Sequence, residues 1–228
     1  DLFGLSPDLE SIIKAGQFIG GEGLRYAMDA LRRRGKKIGG FTNWDYNEPW
    51  PNGAGSYIVD YDGRTLMDFD FFKQALAPIC LNIKQDSILY DPAKGMRVEF
   101  YLVSDAPQTV SGIQWSWRAR DRRGQVFASK QGVAWIEPLE VINLGETVLT
   151  PPSKTAFGPL FLELEVRDDK GQLLTERLHV FGRTGVHGAL AGLLKNTGVD
   201  RDDDTSDAAN NLLEQPDSAA NLAYAGNG

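Results

Sequence analysis

Two hydrophobic rhythms divide the chain near Pro78. Ahead of it, Ser6-Pro7-Asp8-Leu9-Glu10 is a helix-start signature, with Ser6 as N-cap, Pro7 at the first helical position and acids in the first turn. A helical pattern runs from there to about Arg34, with Gly20-Gly21 as a point where it could break. Its later half sets Leu24, Ala27, Met28 and Leu31 at the spacing of one helix face. Gly35 ends the helix, and Lys36 to Trp44, carrying Ile38 and Phe41, reads as a strand. A loop to Ser56 precedes a short extended piece, Tyr57 to Asp60, which the turn Asp62-Gly63 closes. Leu66 to Ala77 predicts a second helix with Leu66, Phe69, Phe72, Ala75 and Leu76 on its apolar side, stopped by Pro78. Helix, strand, helix is the rhythm of an α/β unit. One strand cannot make a sheet, so residues 1–78 are expected to complete a structure whose remainder lies upstream or in another chain.

From Ile79 the period is two. Met96, Val98, Phe100 and Leu102 alternate with Arg97, Glu99, Tyr101 and Val103; Ile113, Trp115, Trp117 and Ala119 alternate with Gln114, Ser116, Arg118 and Arg120. Leu160, Leu162, Leu164 and Val166 alternate with Glu163, Glu165 and Arg167, and Leu174 to Val180 completes the set. Turn signals fall between them at Asp91-Pro92, Asp105-Ala106-Pro107, Arg123-Gly124, Pro151-Pro152 and Lys170-Gly171. Roughly seven short half-buried strands at this spacing predict an immunoglobulin-like antiparallel β-sandwich over residues 79–183. Trp115 is a core ring on this reading. Trp135 is assigned to core or sheet packing in preference to a surface carbohydrate contact.

Beyond Arg183 the pattern fades. Gly185 to Leu194 suggests a short apolar turn or helix, and Asp200 to Asp207 is a block of acid. Read as an EF-hand loop, that block places Thr205 where glycine belongs and Asn211 where the closing glutamate belongs, so calcium geometry fails. Residues 184–228 are expected to be a flexible acidic tail. The whole is an α+β chain in two parts plus that tail.

Composition narrows the function. At 228 residues, 42% hydrophobic and 24% charged, with a net charge of −7, the chain lacks the basic footprint of a nucleic-acid binder. No apolar run reaches the roughly 18 residues of a membrane span. The single cysteine, Cys80, lies in an apolar run and reads as a buried structural thiol; it leaves the compartment open. His179 and His187 are the only histidines and have no metal-ligand spacing, so no metal is expected. Phosphate loops, dinucleotide fingerprints and nucleophile elbows are absent, and no cofactor is expected. The chain starts at Asp1 without a methionine or a leader, and reads as a piece of something longer. Arg32-Arg33-Arg34 reads as complementing the dipole of the helix it ends.

The stretch with chemistry in it is Gly39 to Trp50, GGFTNWDYNEPW. Asn43, Asp45, Asn47 and Glu48 are interleaved with Trp44, Tyr46 and Trp50, and Pro49 and Pro51 forbid a continuing ladder. Rings that stack on a pyranose, beside amides and carboxylates that hold its hydroxyls, make this a candidate sugar pocket; an aromatic core edge is the other reading. Asp45 and Glu48 are three residues apart on one turn. They are poorly placed to flank a glycosidic bond, so they are read as hydroxyl ligands or scaffold, and no catalytic residue is assigned within the chain.

The order Gln17…Glu22…Arg25-Tyr26…Leu31-Arg32, then Gly40 to Pro51, then Ser56 to Arg64, then Phe72 to Pro78 resembles the closing segment of the catalytic barrel in glycoside hydrolase family 2, nearest the β-mannosidases and exo-β-glucosaminidases. Trp44, Asn47-Glu48, Trp50-Pro51 and the turn Asp60-Tyr61-Asp62-Gly63-Arg64 carry it. Glu48 stands where aspartate is commoner, and Asn52-Gly53-Ala54-Gly55 looks inserted. The resemblance implies a (β/α)8 barrel of which this chain keeps the seventh helix, the eighth strand and the eighth helix, followed by the sandwich domain. It also implies a retaining exo-β-glycosidase acting on a β-mannoside or β-glucosaminide. Trp44 would then stack on the sugar, Asn47, Glu48 and Asp45 would contact hydroxyls or shape the floor, and Trp50 would wall the pocket. The catalytic glutamates would lie upstream, so the chain alone is expected to be inactive, with carbohydrate and the upstream barrel as its partners. The competing class is a non-catalytic carbohydrate-binding or domain-interaction module.

Overall fold

The structure is a computed structural model that describes residues 2–4, 8–53, 57–152 and 158–190. Helix α1 (Leu9–Arg32) starts at Asp8, whose carboxylate accepts from the Ser11 backbone N–H at 2.8 Å. The expected cap, Ser6, and Pro7 lie outside the described residues, and the helix begins two residues later than the Ser-Pro signal suggests. It runs through Gly20-Gly21 without a break. Gly21 is where the second helix comes closest: a Cβ there would stand 2.6 Å from the Phe71 ring.

No strand forms at Lys36 to Trp44. Gly35–Lys37 is a single 3₁₀ turn, and residues 38–44, although Ile38 is extended, pair with no strand among the described residues. Extended backbone becomes a strand only against a neighbour that takes up its hydrogen bonds. The expected Tyr57–Asp60 piece is reduced to Val59, bridged to Asn47 and to Thr65. Helix α2 (Met67–Ala75) follows the Asp60–Gly63 turn, in which Gly63 takes a positive φ. Its buried residues are Met67, Phe71 and Ala75, one step round the helix from the expected face, and Leu76 is exposed.

Eight strands follow: β1 (Ile79–Gln85), β2 (Leu89–Tyr90), β3 (Met96–Ser104), β4 (Val110–Arg120), β5 (Val126–Ile136), β6 (Val141–Leu149), β7 (Leu160–Arg167) and β8 (Leu173–Arg183). They form a three-stranded sheet, β1-β3-β6, and a five-stranded sheet, β2-β8-β7-β4-β5, antiparallel except for the short β2–β8 pair. The inward residues of both sheets make one core, including Leu81, Val98, Phe100, Ile113, Trp117, Leu162 and Leu164, with Phe100 and Trp117 stacked at 4.7 Å. This is the expected sandwich, with Trp115 in its core. Trp135 is not in it: the ring stands on edge strand β5, 58% exposed, against the expectation of packing.

The helix pair is fastened to the sandwich in two ways. Phe3, Phe18 and Phe71 meet edge to face and pack with Phe161 and Val180, on the face of β7 and β8 turned away from the sandwich core. Leu190 joins this cluster, its N–H donating to Leu2 at 2.8 Å, so the chain after β8 returns to the body as far as residue 190. That is a correction to a tail beginning at residue 184; the rest of the expected tail, including the acidic run, lies outside the described residues. The second fastening is polar. Arg177 on β8 forms a buried bidentate pair with Asp29 on α1, both bonds 2.9 Å, and donates to the Gln74 carbonyl. Arg32 reaches the carbonyls of Ala75 and Ala77, the Cys80 sulfur at 3.3 Å and the Asp105 carboxylate at 2.8 Å. Arg33 donates to Asn82 and to the Ile83 carbonyl. Arg32 and Arg33 therefore bind across the junction, which outweighs the dipole role expected of them. Cys80 is free and buried, and burial pushes its thiol up.

Candidate functional site

The Trp44–Trp50 segment is shaped by its hydrogen bonds to the stretch before α2. The Tyr46 carbonyl accepts from both Ile58 and Val59, Asn47 bridges Val59, and the Ile58 carbonyl accepts from Leu66 at the start of α2. Ile58 is fully buried and pins the base of the loop. With its ends tied, the loop turns its rings outward: Trp44 is 82% exposed, Trp50 63% and Tyr46 57%. Within this chain these three rings are not packed into a core. Tyr61, on the Asp60–Gly63 turn, is a further exposed ring. The Trp44–Asp45 peptide is cis.

The polar candidates divide. Glu48 is only 8% exposed, and one of its carboxylate oxygens accepts from the Asn52 amide at 3.0 Å. The Asn52 backbone carbonyl in turn accepts from the Tyr57 hydroxyl, and Asn43 donates to the Asp45 carbonyl at 3.1 Å. Asp45 Oδ1 is buried without a hydrogen-bond partner among the described residues, whereas Asn47 is exposed. Glu48 is thus oriented by Asn52, a residue the sequence marked only as part of an inserted-looking turn. The signal available was its Asn-Gly pair, which predicts a tight turn but not the direction of its side chain.

Chemically the loop offers wide apolar ring faces beside two carboxyls and an amide, with no lysine or arginine between Lys37 and Arg64. It can stack a ring and accept hydrogen bonds from hydroxyls. Asp45 and Glu48 belong to one turn, an arrangement unlike carboxyls on opposite sides of a scissile bond. Among the described residues no three histidine, cysteine, aspartate or glutamate side chains gather as a metal site, and no helix is long and apolar enough to cross a membrane.

No protein-family model matches the chain, and no curated protein matches it. Solved structures do. The β-D-mannosidase from Dictyoglomus thermophilum matches at 22% identity and a TM-score of 0.64 over 79% of this chain and 21% of that one. The exo-chitosanase CsxA from Amycolatopsis orientalis, in a complex with PNP-β-D-glucosamine, matches at 15% identity and a TM-score of 0.61, over 85% of this chain and 24% of that one. The chain spans about a fifth of the mannosidase and about a quarter of the exo-chitosanase. At these identities the likeness establishes the fold: a helix pair and two-sheet body of the kind these glycosidases contain.

Proposed function

We propose that this chain is the C-terminal portion of a retaining exo-β-glycosidase of the family 2 type, with residues 1–78 closing a (β/α)8 barrel and residues 79–183 forming an immunoglobulin-like sandwich. The observation that carries the reading is the fixed, outward-facing ring loop, Trp44, Tyr46 and Trp50 around the buried Glu48, in a chain whose fold recurs in a β-mannosidase and an exo-chitosanase. In the whole enzyme the loop stacks a terminal β-mannoside or β-glucosaminide on Trp44 and holds its hydroxyls through Asp45, Asn47 and Glu48, with Trp50 as a wall. Hydrolysis then follows the retaining course. One upstream carboxyl protonates the leaving oxygen while the other attacks the anomeric carbon; water afterwards releases the glycosyl-enzyme. This chain contributes binding and orientation, which act on the barrier by holding the sugar in an attacking geometry.

The test is to assay the parent protein, extended upstream of Asp1, on aryl β-mannoside, β-glucosaminide, β-galactoside and β-glucuronide. Activity on one of the first two is expected, with a loss of at least about 100-fold in Trp44→Ala, since a misplaced sugar costs about that much. The 228-residue chain alone is expected to turn over none of them. A non-catalytic glycan-binding module is the second reading, favoured by the exposure of Trp135; silence across the panel with glycan binding retained would establish it.

A further inference from the structure

Strand β5 ends the five-stranded sheet, three strands away from β8, where the helix pair is fastened. Its even-numbered side chains go to the core. Ile136 and Ala134 join it, and an added Cβ at Gly132 would stand 2.5 Å from the Trp115 ring. The Lys130 ammonium lies over the same ring at 6.0 Å. Alternation therefore turns Gln131, Val133 and Trp135 to the outer face, and all three are exposed. Register completes the surface. Val133 lies opposite Gln114 and Gln131 opposite Ser116 on β4, with Arg167 and Glu165 beyond them on β7.

The strip from Trp135 to Gln131 runs about 13 Å along β5 and one strand spacing, about 5 Å, across to β4. Its side chains carry an indole face, an aliphatic face, amides and a hydroxyl, and none is ionisable. Ser116 and Gln131 make no side-chain hydrogen bond among the described residues, and Gln114 donates to the Asp168 carbonyl at 3.3 Å. The charges bordering the strip are already matched. Arg167 holds Glu165 through bonds of 2.7 and 3.1 Å, and Arg118 shares Glu163 with Arg120. A charged ligand therefore finds no unpaired counter-charge here. An added strand is opposed as well, because Lys130 turns inward from the edge strand and donates to the Leu144 carbonyl at 3.3 Å. An inward-pointing charge on an edge discourages pairing with another chain. What fits is a neutral ligand with an apolar face and many hydroxyls.

We propose that the outer face of β4 and β5 is an accessory sugar surface for a neutral β-linked oligosaccharide. Trp135 stacks on one pyranose face and Val133 extends the apolar patch, while Gln131, Gln114 and Ser116 exchange hydrogen bonds with the hydroxyls of the adjoining sugar. The strip is long enough for more than one ring and open on its outer side, so it holds a chain from the side and does not enclose its end. The ring stands on a sheet whose other face is the packed core, and is presented without the ordering of a loop. The surface does not depend on either reading of the Trp44–Trp50 loop. In an enzyme that removes terminal sugars, it keeps the polymer at high local concentration between cleavages.

The test titrates the 228-residue chain with a β-1,4-linked manno-oligosaccharide and follows its backbone amide and indole N–H signals. Shifts at the Trp135 indole and at residues 112–117 and 129–135 are expected. The half-saturating concentration should rise at least about 10-fold in Trp135→Ala and return towards the parent value in Trp135→Tyr, which keeps a ring. Gln131→Ala should weaken binding by a smaller factor, and Trp44→Ala should leave these shifts unaltered. Because Trp135 is exposed, its variants are expected to keep the parent spectrum away from the strip. Unchanged binding in Trp135→Ala, shifts confined to residues 44–50, or tighter binding of an oligogalacturonate of the same length would each overturn the proposal. So would changes at the strip on raising the protein concentration without sugar, which would mark it as a contact between copies. Hydrolysis of aryl β-glycosides by the parent protein reads the loop alone, so either result can fail without the other.

Discussion

Arg177 and Asp29 meet 148 positions apart in the sequence, and both are withdrawn from water. A buried pair gains little over a well-packed apolar pair, but removing one partner strands the other as a buried charge. Asp29→Asn is therefore expected to lower the unfolding free energy by about 3 kcal/mol. Asp29→Leu combined with Arg177→Met should recover most of that loss, because no charge is left unpaired. Denaturant titrations of the three proteins decide it; additive losses in the double variant would contradict the pairing. Two positions along β8, His179 accepts from Arg25 at 3.2 Å through Nδ1, since a guanidinium only donates; Glu22 is ion-paired to the same arginine. Burial, reinforced by the Arg25 and Arg177 charges, holds His179 well below the usual histidine range. The native state keeps it neutral at pH values where the unfolded chain protonates it. Its contribution is fully present above about pH 6.5 and falls by up to about 1.4 kcal/mol per unit below that. Asp70 works in the opposite sense. Burial, partly offset by Lys73, pushes it up to about 6, so the native state takes its proton first and gains stability as pH falls through that value. His179→Gln should flatten the fall of stability between about pH 6.5 and 5 relative to the parent; equal slopes would mean that His179 is hydrated in the native state.

At the scale of elements, α1 buries a mixed face. Ala15, Phe18 and Met28 are buried along with Glu22, Arg25, Asp29 and Arg32, while Leu9, Ile12, Ile13, Ile19 and Tyr26 face outward. This is why the helix itself was legible and its packing was not. The 3.6 period marks the helix, but an apolar stripe is assumed to point inward, and charged residues share the buried face here because their partners are on β8, α2 and the Pro78–Asp105 corner. A steric cause shifted the face of α2: Phe71 is buried against Phe18, where Gly21 has no side chain to stand in its way. Two glycines of α1 separate these effects. Gly21→Ala must push against the Phe71 ring and the Asp68 backbone, and is expected to cost about 1–3 kcal/mol despite alanine's better helix propensity. Gly23→Ala meets nothing within 4 Å and should stabilise by about 0.5–1 kcal/mol. Thermal unfolding of the two variants reads the signs directly. The strand expected at Lys36 to Trp44 does not form in this chain for the complementary reason: the pattern announces an extended segment, whereas a ladder requires a neighbour. In the candidate site, the rings and carboxyls were legible as residue types. Their division into exposed Trp44 and buried Glu48 was not, because it depends on the tie between Tyr46 and the Ile58–Val59 backbone and on the Asn52 amide.

For the whole molecule, the sandwich was legible because alternation states which face of each strand is inside, and register follows from that. Trp135 escaped because being on an edge strand is a property of sheet order, which no local pattern contains. The helix pair and sandwich share the phenylalanine cluster and the arginine network, so they are expected to unfold as one unit. Hydrogen exchange should show amides from Glu22 to Arg32 protected as strongly as those of β1 and β8, with the first turns of α1 exchanging much faster. Early loss of protection across all of α1 would instead mark the helices as a separate unit. The Asp29–Arg177 pair also constrains descent. Recombination between two relatives at the helix–sandwich border would hand each offspring half of a matched pair, an aspartate from one parent facing whatever the other parent carries at position 177. Crossovers at residue 78, which looks like a natural seam in the linear sequence, should therefore be rare among viable chimaeras, and the two parts should be inherited together.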